Sequence, residues 1–460
     1  MLVIISDLHL TDGTSGQTIK AGAFRAFRER LRDIAYDASW RKNGKYEPIK
    51  ELHVVLLGDI LDIIRSSKWG DSPADVRPWG NVNDPRFAAI VQQISDGILR
   101  NNADSLAVLK SLTDPRVITV PPATAEGSVA VVSRDPAARE RVPVRVQTYY
   151  LVGNHDWFYY VSGKPFDSLR QSVVNAIGLV NDPKAGFPHD PALWPTLMDV
   201  YRSHRVFARH GDIFDAFNFE KKRDASSLGD AIVIELLNRF PSAVKTAMGD
   251  RLSQECLLGL REIDNVRPLL IIPMWLDGLL RKTCSDEQSS RIKEIWDDLA
   301  DRFLNVPFVK QHQSIWHPFG SITELEWGLK FSRGVSLANL SKLTSWARKR
   351  LGGSIEGAFY PNVFGEQAFQ NLSADYVVYG HTHHYEIVPL RSYRQNGAYE
   401  DQIYINSGTW RAVHELAQFE PNKQDFVGYH VMTYLAFFTD GERRGRRFEA
   451  WTGALDTSDE

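Results

Sequence analysis

The sequence predicts an α/β fold, and three observations predict it. Short apolar runs rich in β-branched residues recur along the 460-residue chain, and each ends in a polar cluster. A helical pattern separates the first two runs, as in a βαβ unit. From residue 220 to 372 the periodicity is helical, and strands resume only near Tyr376.

Residues 2–5 form the first run, and Asp7 and His9 follow it. Two residues apart on an extended stretch, they point the same way, which suits chelation. Phe24, Phe27, Leu31 and Ile34 recur at helical spacing over residues 20–40. Residues 52–57 make a second buried strand, which runs into Gly58-Asp59-Ile60-Leu61-Asp62. His53 at its start reads as a satisfied, partly buried histidine. Residues 66–83 have a loop composition. Asp84-Pro85 then marks a helix start, and Ile90, Ile94, Ile98, Leu106 and Leu109 carry the pattern past a break at Asn101-Asn102. Residues 129–132 and 142–146 read as a hairpin around Asp135-Pro136. Its second arm continues through 149–152 into Gly153-Asn154-His155-Asp156.

Residues 206–208 form a short strand that leads to His210-Gly211-Asp212. The clearest helices of the next block are 226–247, 286–304 and 336–351, with Trp275, Trp296, Trp316, Trp327 and Trp346 among its aromatics. Strands return at 376–379, 402–405 and 429–438, the first ending in Gly380-His381-Thr382-His383. The expected organisation is a catalytic domain in two parts, 1–219 and 373–454. A helical insertion at 220–372 splits it and reads as a cap, and an acidic tail follows at 455–460.

Hydrophobic residues make up 43% and charged residues 24%, as in a soluble globular protein. A net charge of −3 argues against a broad nucleic-acid-binding surface, and the basic run at 443–447 is too short to bind nucleic acid alone. Cys256 and Cys284 lack metal-like spacing and are expected as structural thiols in a reducing compartment. The apolar start is too short for a signal peptide, and no run reaches the ~18 residues of a membrane span. A cytoplasmic location is expected.

The five polar clusters bring Asp, His, Asp, Asn, His, His and His to strand ends. These donors suit a pair of divalent cations in an oxygen-and-nitrogen environment. Such a pair needs a bridging carboxylate and can clamp both oxygens of a phosphoryl transfer. No cysteine falls in any cluster, which disfavours a structural zinc site. One cluster alone is weak; all five in this order are the specific signal.

The set resembles the calcineurin-like metallophosphoesterase superfamily, whose pattern is Asp-x-His, Gly-Asp-x-x-Asp, Gly-Asn-His-Asp/Glu, His, then Gly-His-x-His. Every position is filled here. The resemblance implies two packed mixed β-sheets flanked by helices, and a dinuclear centre that hydrolyses a phosphodiester, pyrophosphate or phosphomonoester. It implies Asp7, His9 and His383 on the first metal, Asn154, His210 and His381 on the second, and Asp59 bridging both. Manganese is favoured, with iron, zinc, magnesium or nickel as alternatives. A bridging hydroxide would attack phosphorus, and His155 would contact the phosphate or protonate the leaving oxygen, oriented by Asp156. Asp62 and Asp212 would steady the ligands. The Gly-Asp-Ile-Leu-Asp, Gly-Asn-His-Asp and His-Gly-Asp-Ile-Phe-Asp stretches are similar to the bacterial branch containing UDP-2,3-diacylglucosamine pyrophosphatases. That branch is shorter and carries Arg where this chain has His155. The other readings are a nuclease of the same superfamily, a protein phosphatase, and a scaffold that keeps the fold without the chemistry.

Trp157, Phe158 and Tyr159 read as pocket lining or core. Arg411, in the turn after the 402–405 strand, is a candidate phosphate contact. His384, His414, His312 and His317 read as supporting or surface residues.

Overall fold

The computed structural model describes residues 1–266, 272–312, 359–395, 397–417, 419 and 426–455. Its strands, in chain order, are β1 (Leu2–Ile5), β2 (Glu51–Leu57), β3 (Thr119–Val120), β4 (Val142–Pro143), β5 (Arg145–Leu151), β6 (Val206–Ala208), β7 (Tyr376–Tyr379), β8 (Tyr385–Gln395), β9 (Ala398–Ser407), β10 (Ala412–Leu416), β11 (Phe426–Phe437) and β12 (Phe448–Leu455). One sheet has the order β10-β11-β1-β2-β5, with β12 also on β11; the second has the order β6-β7-β9-β8. Strands β1, β2 and β5 run parallel, and so do β6, β7 and β9. The antiparallel partners are β11 on β1 and β8 on β9, so both sheets are mixed.

Side chains alternate across each strand. Leu2 and Ile4 of β1 share a core with Val55, Leu57, Val206, Val378 and Ile405, which joins the two sheets face to face. Val3 and Ile5 point the other way and share a core with Phe24, Phe27 and Leu31. These last three lie on helix Ala21–Ala38, at the spacing that predicted it. Phe207, Val377 and Tyr404 leave the far face of the second sheet and pack with Val363 and Phe369. Two mixed sheets thus pack together, with helices against the first and short helical turns against the second. Asp84 caps helix Pro85–Asn101 by accepting from the Arg86 N–H, and the expected break falls at Asn102, before helix Ala103–Ser111.

The hairpin expected between 129–132 and 142–146 does not form. Val142 and Pro143 pair with β3 instead, and the residues after them join β2 in parallel. Residues 129–132 have no buried face, and Val131 is fully exposed. A strand that buries nothing cannot offset its ordering entropy. Arg141 also favours the observed pairing, since its guanidinium donates to the Thr119 carbonyl at 2.9 Å.

Between β6 and β7 every described element is helical. Leu228–Ile232 passes through a π turn at Val233–Leu237 into Arg239–Met248, and Gln254–Arg261, Ile272–Thr283 and Asp286–Leu304 follow. The helix expected at 336–351, Trp316, Trp327, Trp346, His317 and the tail beyond Leu455 lie outside the described residues. The helices do not stand apart from the body. Leu236, Phe240, Trp296 and Phe303 belong to the same buried cluster as Phe24 and Ile94. Each such Leu or Phe contributes about 1.5–3 kcal/mol by burial, so this block also stabilises the layer beneath it. Cys256 and Cys284 lie in it as free thiols, with Sγ atoms 3.2 Å apart. Among the described residues no helix is long and apolar enough to cross a membrane.

Candidate metal centre

Asp7 and His9 follow β1, Asp59 follows β2, Asn154 follows β5, His210 follows β6, and His381 and His383 follow β7. In an α/β sheet the carboxyl ends of parallel strands are where ligands bind. The loops are laced together by backbone bonds: Asp7 N to Gly58 O at 3.1 Å, His9 N to Asp59 O at 2.9 Å, and Gly380 N to His210 O at 2.8 Å. Among the described residues nine non-glycine residues have positive φ, and five of them are Asp7, His9, Asp59, His381 and His383. That conformation costs energy and persists where surroundings enforce it. Gly153 is required at its place, because a Cβ there would lie 2.3 Å from Asp59 Oδ1 and 2.6 Å from the His210 ring.

The donor atoms converge in groups. Asp7, His9 and His383 form one, and Asp59, His210 and His381 another, with the ligand atoms of each within 4.8 Å of one another. The outer hydrogen bonds decide which atoms face inward. His9 Nδ1 is 2.8 Å from Asp62 Oδ2, so the neutral ring donates there and offers Nε2 as a lone pair. That Nε2 is 3.0 Å from His383 Nε2. His210 Nδ1 donates to the Leu57 carbonyl at 2.9 Å, and its Nε2 lies 3.3 Å from both Asp59 Oδ2 and Asn154 Oδ1. Asp7 Oδ2 accepts from Ser6 Oγ and from the His381 N–H, while Oδ1 is buried, accepts no hydrogen bond and sits 3.4 Å from His383 Nε2. Acceptors this close repel one another unless a proton or a cation lies between them. The set has the chemistry to hold a metal ion: carboxylate, imidazole and amide oxygen are donors that divalent cations take.

Without a cation, protons do part of this work. Burial alone would raise the Asp7 carboxyl, but the His210, His383 and His9 rings outweigh it and hold it well below the usual carboxylate range. Burial would lower His210, yet Asp59 and Asp7 hold it at about 10. A metal ion competes with these protons for the same atoms.

His155 reaches the same centre, with a ligand atom within 4.8 Å of those of His9 and Asp59. Its backbone N–H donates to Asp59 Oδ1 at 2.8 Å, and its Nδ1 is 2.9 Å from Asp62 Oδ1. Burial would lower its pKa, but Asp62 and Asp59 overcome this and hold it at about 9. The expected orienting role of Asp156 is corrected here: Asp62 holds the ring. Asp156 instead accepts from Gly153 N at 2.6 Å, Ile60 N at 2.8 Å and Tyr150 Oη at 2.7 Å, and so fixes the loops. Burial, then the Asp59 charge, raise its pKa to about 7.

Several supporting groups escaped the sequence reading. Asp215 accepts from His381 Nε2 at 2.9 Å; it ends the His-Gly-Asp-Ile-Phe-Asp stretch, which was its only signal. Arg223 donates to the Gly153 carbonyl at 2.9 Å and pairs with Asp212 at 2.6 Å, so Asp212 acts through that arginine. Asp230, in a capping box with Ser227, accepts from Trp157 Nε1 at 3.1 Å. Trp157, Phe158 and Tyr159 are buried in the main core, with Phe158 stacked on Trp69. Arg411 is also buried and meets Asp264 at 2.8 Å. His312 pairs with Glu220, and His414 packs against Trp275. His384 is partly buried beside the ligand loop. Compared with known proteins, the chain matches no family model and no curated sequence.

Proposed function

We propose that this chain is a phosphoesterase of the calcineurin-like metallophosphoesterase type, working with two divalent metal ions. One observation carries the reading: acceptor atoms converge in three overlapping groups, the first two sharing His9 and the last two sharing Asp59, with the His9 and His210 tautomers set to offer Nε2 inward. Asp7, His9 and His383 would hold one ion, Asn154, His210 and His381 the other, and Asp59 both. Bound there, the ions would supply Lewis acidity toward a phosphoester and lower the pKa of water. Manganese is the metal expected. The two sheets would be that superfamily's sandwich, and the helices between β6 and β7 an addition to it. The cytoplasm is the proposed compartment, which suits the two free thiols.

The residues divide the remaining work. Against burial, Asp62 and Asp59 raise the His155 pKa to about 9 in the metal-free chain, which favours its protonated form. Asp62 holds one ring nitrogen, so the other can stabilise phosphoryl oxygens or give its proton to the leaving oxygen. Asp62 also sets His9 through its second oxygen, which couples the proton donor to a ligand. Asp156 keeps the Asp59 and Asn154 loops in register.

The test is hydrolysis of bis-(p-nitrophenyl) phosphate beside p-nitrophenyl phosphate, with Mn²⁺ and with chelator, and with Asp59→Asn as control. Turnover that needs both the metal and Asp59 supports the reading, and the better substrate separates diesterase from monoesterase. Absence of turnover of either ester with both metals bound would sink it.

A further inference from the structure

We propose that Arg65 and Arg411 form an anion subsite beside the metal centre, which receives a second phosphoryl group of the substrate. This rests on the phosphoesterase reading and narrows it: the substrate carries a phosphoryl group besides the one that is cleaved.

Arg65 lies in the loop after β2 that carries Asp59, and Arg411 in the turn after β9 that bonds the Asp7 loop. The Arg65 backbone N–H donates at 3.1 Å to Asp62 Oδ1, the oxygen that also holds His155. Arg411 follows Trp410, whose backbone N–H donates to the Asp7 carbonyl at 3.1 Å. From the helical block, Asp264 Oδ2 reaches both guanidinium groups, 3.1 Å from Arg65 Nη1 and 2.8 Å from Arg411 Nη2. Asn265 Oδ1 accepts a second bond from Arg411 Nη2. Gly16 backs the Arg65 guanidinium closely, since a Cβ there would lie 2.0 Å from Nη2.

The donors are not all used. Arg65 is 2% exposed and Arg411 5%, so neither is solvated. Among the described residues Asp264 is the one carboxylate in contact with either guanidinium. Asp62 is engaged by His9 and His155, and Glu262 by Asn265. Arg65 Nε and Nη1 and Arg411 Nη1 are buried and donate no hydrogen bond, Nη1 of Arg65 lying near Asp264 without the alignment to donate. Buried donors in native proteins are paired almost without exception. Two fixed guanidinium forks with spare N–H groups and one shared carboxylate suit an incoming oxyanion. The Arg65 backbone bond to Asp62, whose same oxygen holds His155, would set that oxyanion near His155.

A plain structural ion pair predicts the opposite response to one substitution. The experiment is calorimetric titration of inorganic phosphate into the full chain, held metal-free with chelator. Arg411→Gln and Arg65→Gln should each weaken binding at least tenfold, and Asp59→Asn should retain it. Asp264→Asn should tighten it severalfold, because the competing carboxylate is gone. Should a glutamine variant fail to fold, Arg411→Lys is read instead, with the same direction expected because lysine lacks the fork. Unchanged binding in the arginine variants, or weaker binding in Asp264→Asn, overturns the subsite. Phosphate binding that follows this pattern without metal-dependent turnover would overturn the phosphoesterase reading and leave the subsite standing. Turnover with phosphate binding indifferent to the arginines would do the reverse.

Discussion

The strand-end loops and the helices between β6 and β7 serve the same centre by different chemistry. The loops supply atoms that could bind an ion, held on strained backbone by bonds to each other. The helices supply atoms that hold other side chains: Asp230 takes the Trp157 indole, and Asp264 takes two arginines. Strand ends are fixed by sheet register and position a ligand closely. A helix face docks through side chains and can therefore restrain a neighbour without presenting a ligand itself. Damage to the loops should thus abolish chemistry, and damage to the helices should loosen or retune it.

The largest effect is expected at Asp59, which belongs to both proposed metal sets. Asp59→Asn should cost more turnover than the roughly 10–100-fold typical of losing an outer partner, and elemental analysis should find the metal pair lost. His155→Ala should cut turnover by about 10²–10⁴ as loss of a general acid while metal content stays intact. A fall in metal content would instead make His155 a ligand.

Asp215→Ala lies in between, because Asp215 holds His381 without belonging to the ligand set. Metal affinity should fall roughly 10–100-fold, measured by titration with a competing chelator. For the helices, Asp230→Ala removes the returning half of the capping box and the Trp157 contact. It should lower stability by about 0.5–2 kcal/mol, the usual worth of a cap, in urea unfolding, with metal affinity unchanged.

The smallest effect is expected at the other end of the strands. His53, at the start of β2, is held at about 4 chiefly by burial, and the neighbouring His204 at about 3. Both are neutral in the folded chain at pH 5, whereas the unfolded chain protonates them below about 6.5. Stability should be fully present above pH 6.5 and decline as pH falls toward 4. Urea midpoints between pH 7 and 5 should slope less in His204→Phe, and an unchanged slope would remove this pair from the account.

What the sequence made legible follows the same division. The ligand loops could be read because residue type, spacing and a preceding apolar run all lie within a few positions. Strand β8 was missed because most of its residues are exposed and it lacks an alternating apolar face. The partner of His155 was misassigned to its neighbour Asp156, while the true partner lies 93 positions away. Asp264 and Arg411 are 147 positions apart and meet only because the 3-10 turn Ile263–Asn265 is seated against the sheet. No local pattern encodes such a contact.

The place of β1 has a further consequence, for synthesis. One edge of β1 pairs with β2, close in sequence, but its other edge belongs to β11, which ends at Phe437. A chain emerging at ~5–20 residues per second leaves that edge open for on the order of tens of seconds. An open, apolar edge is a template for pairing with another chain. Production of this protein should therefore depend on chaperone supply and growth temperature, and fragments that stop short of β11 should aggregate even though they contain most of the ligand loops.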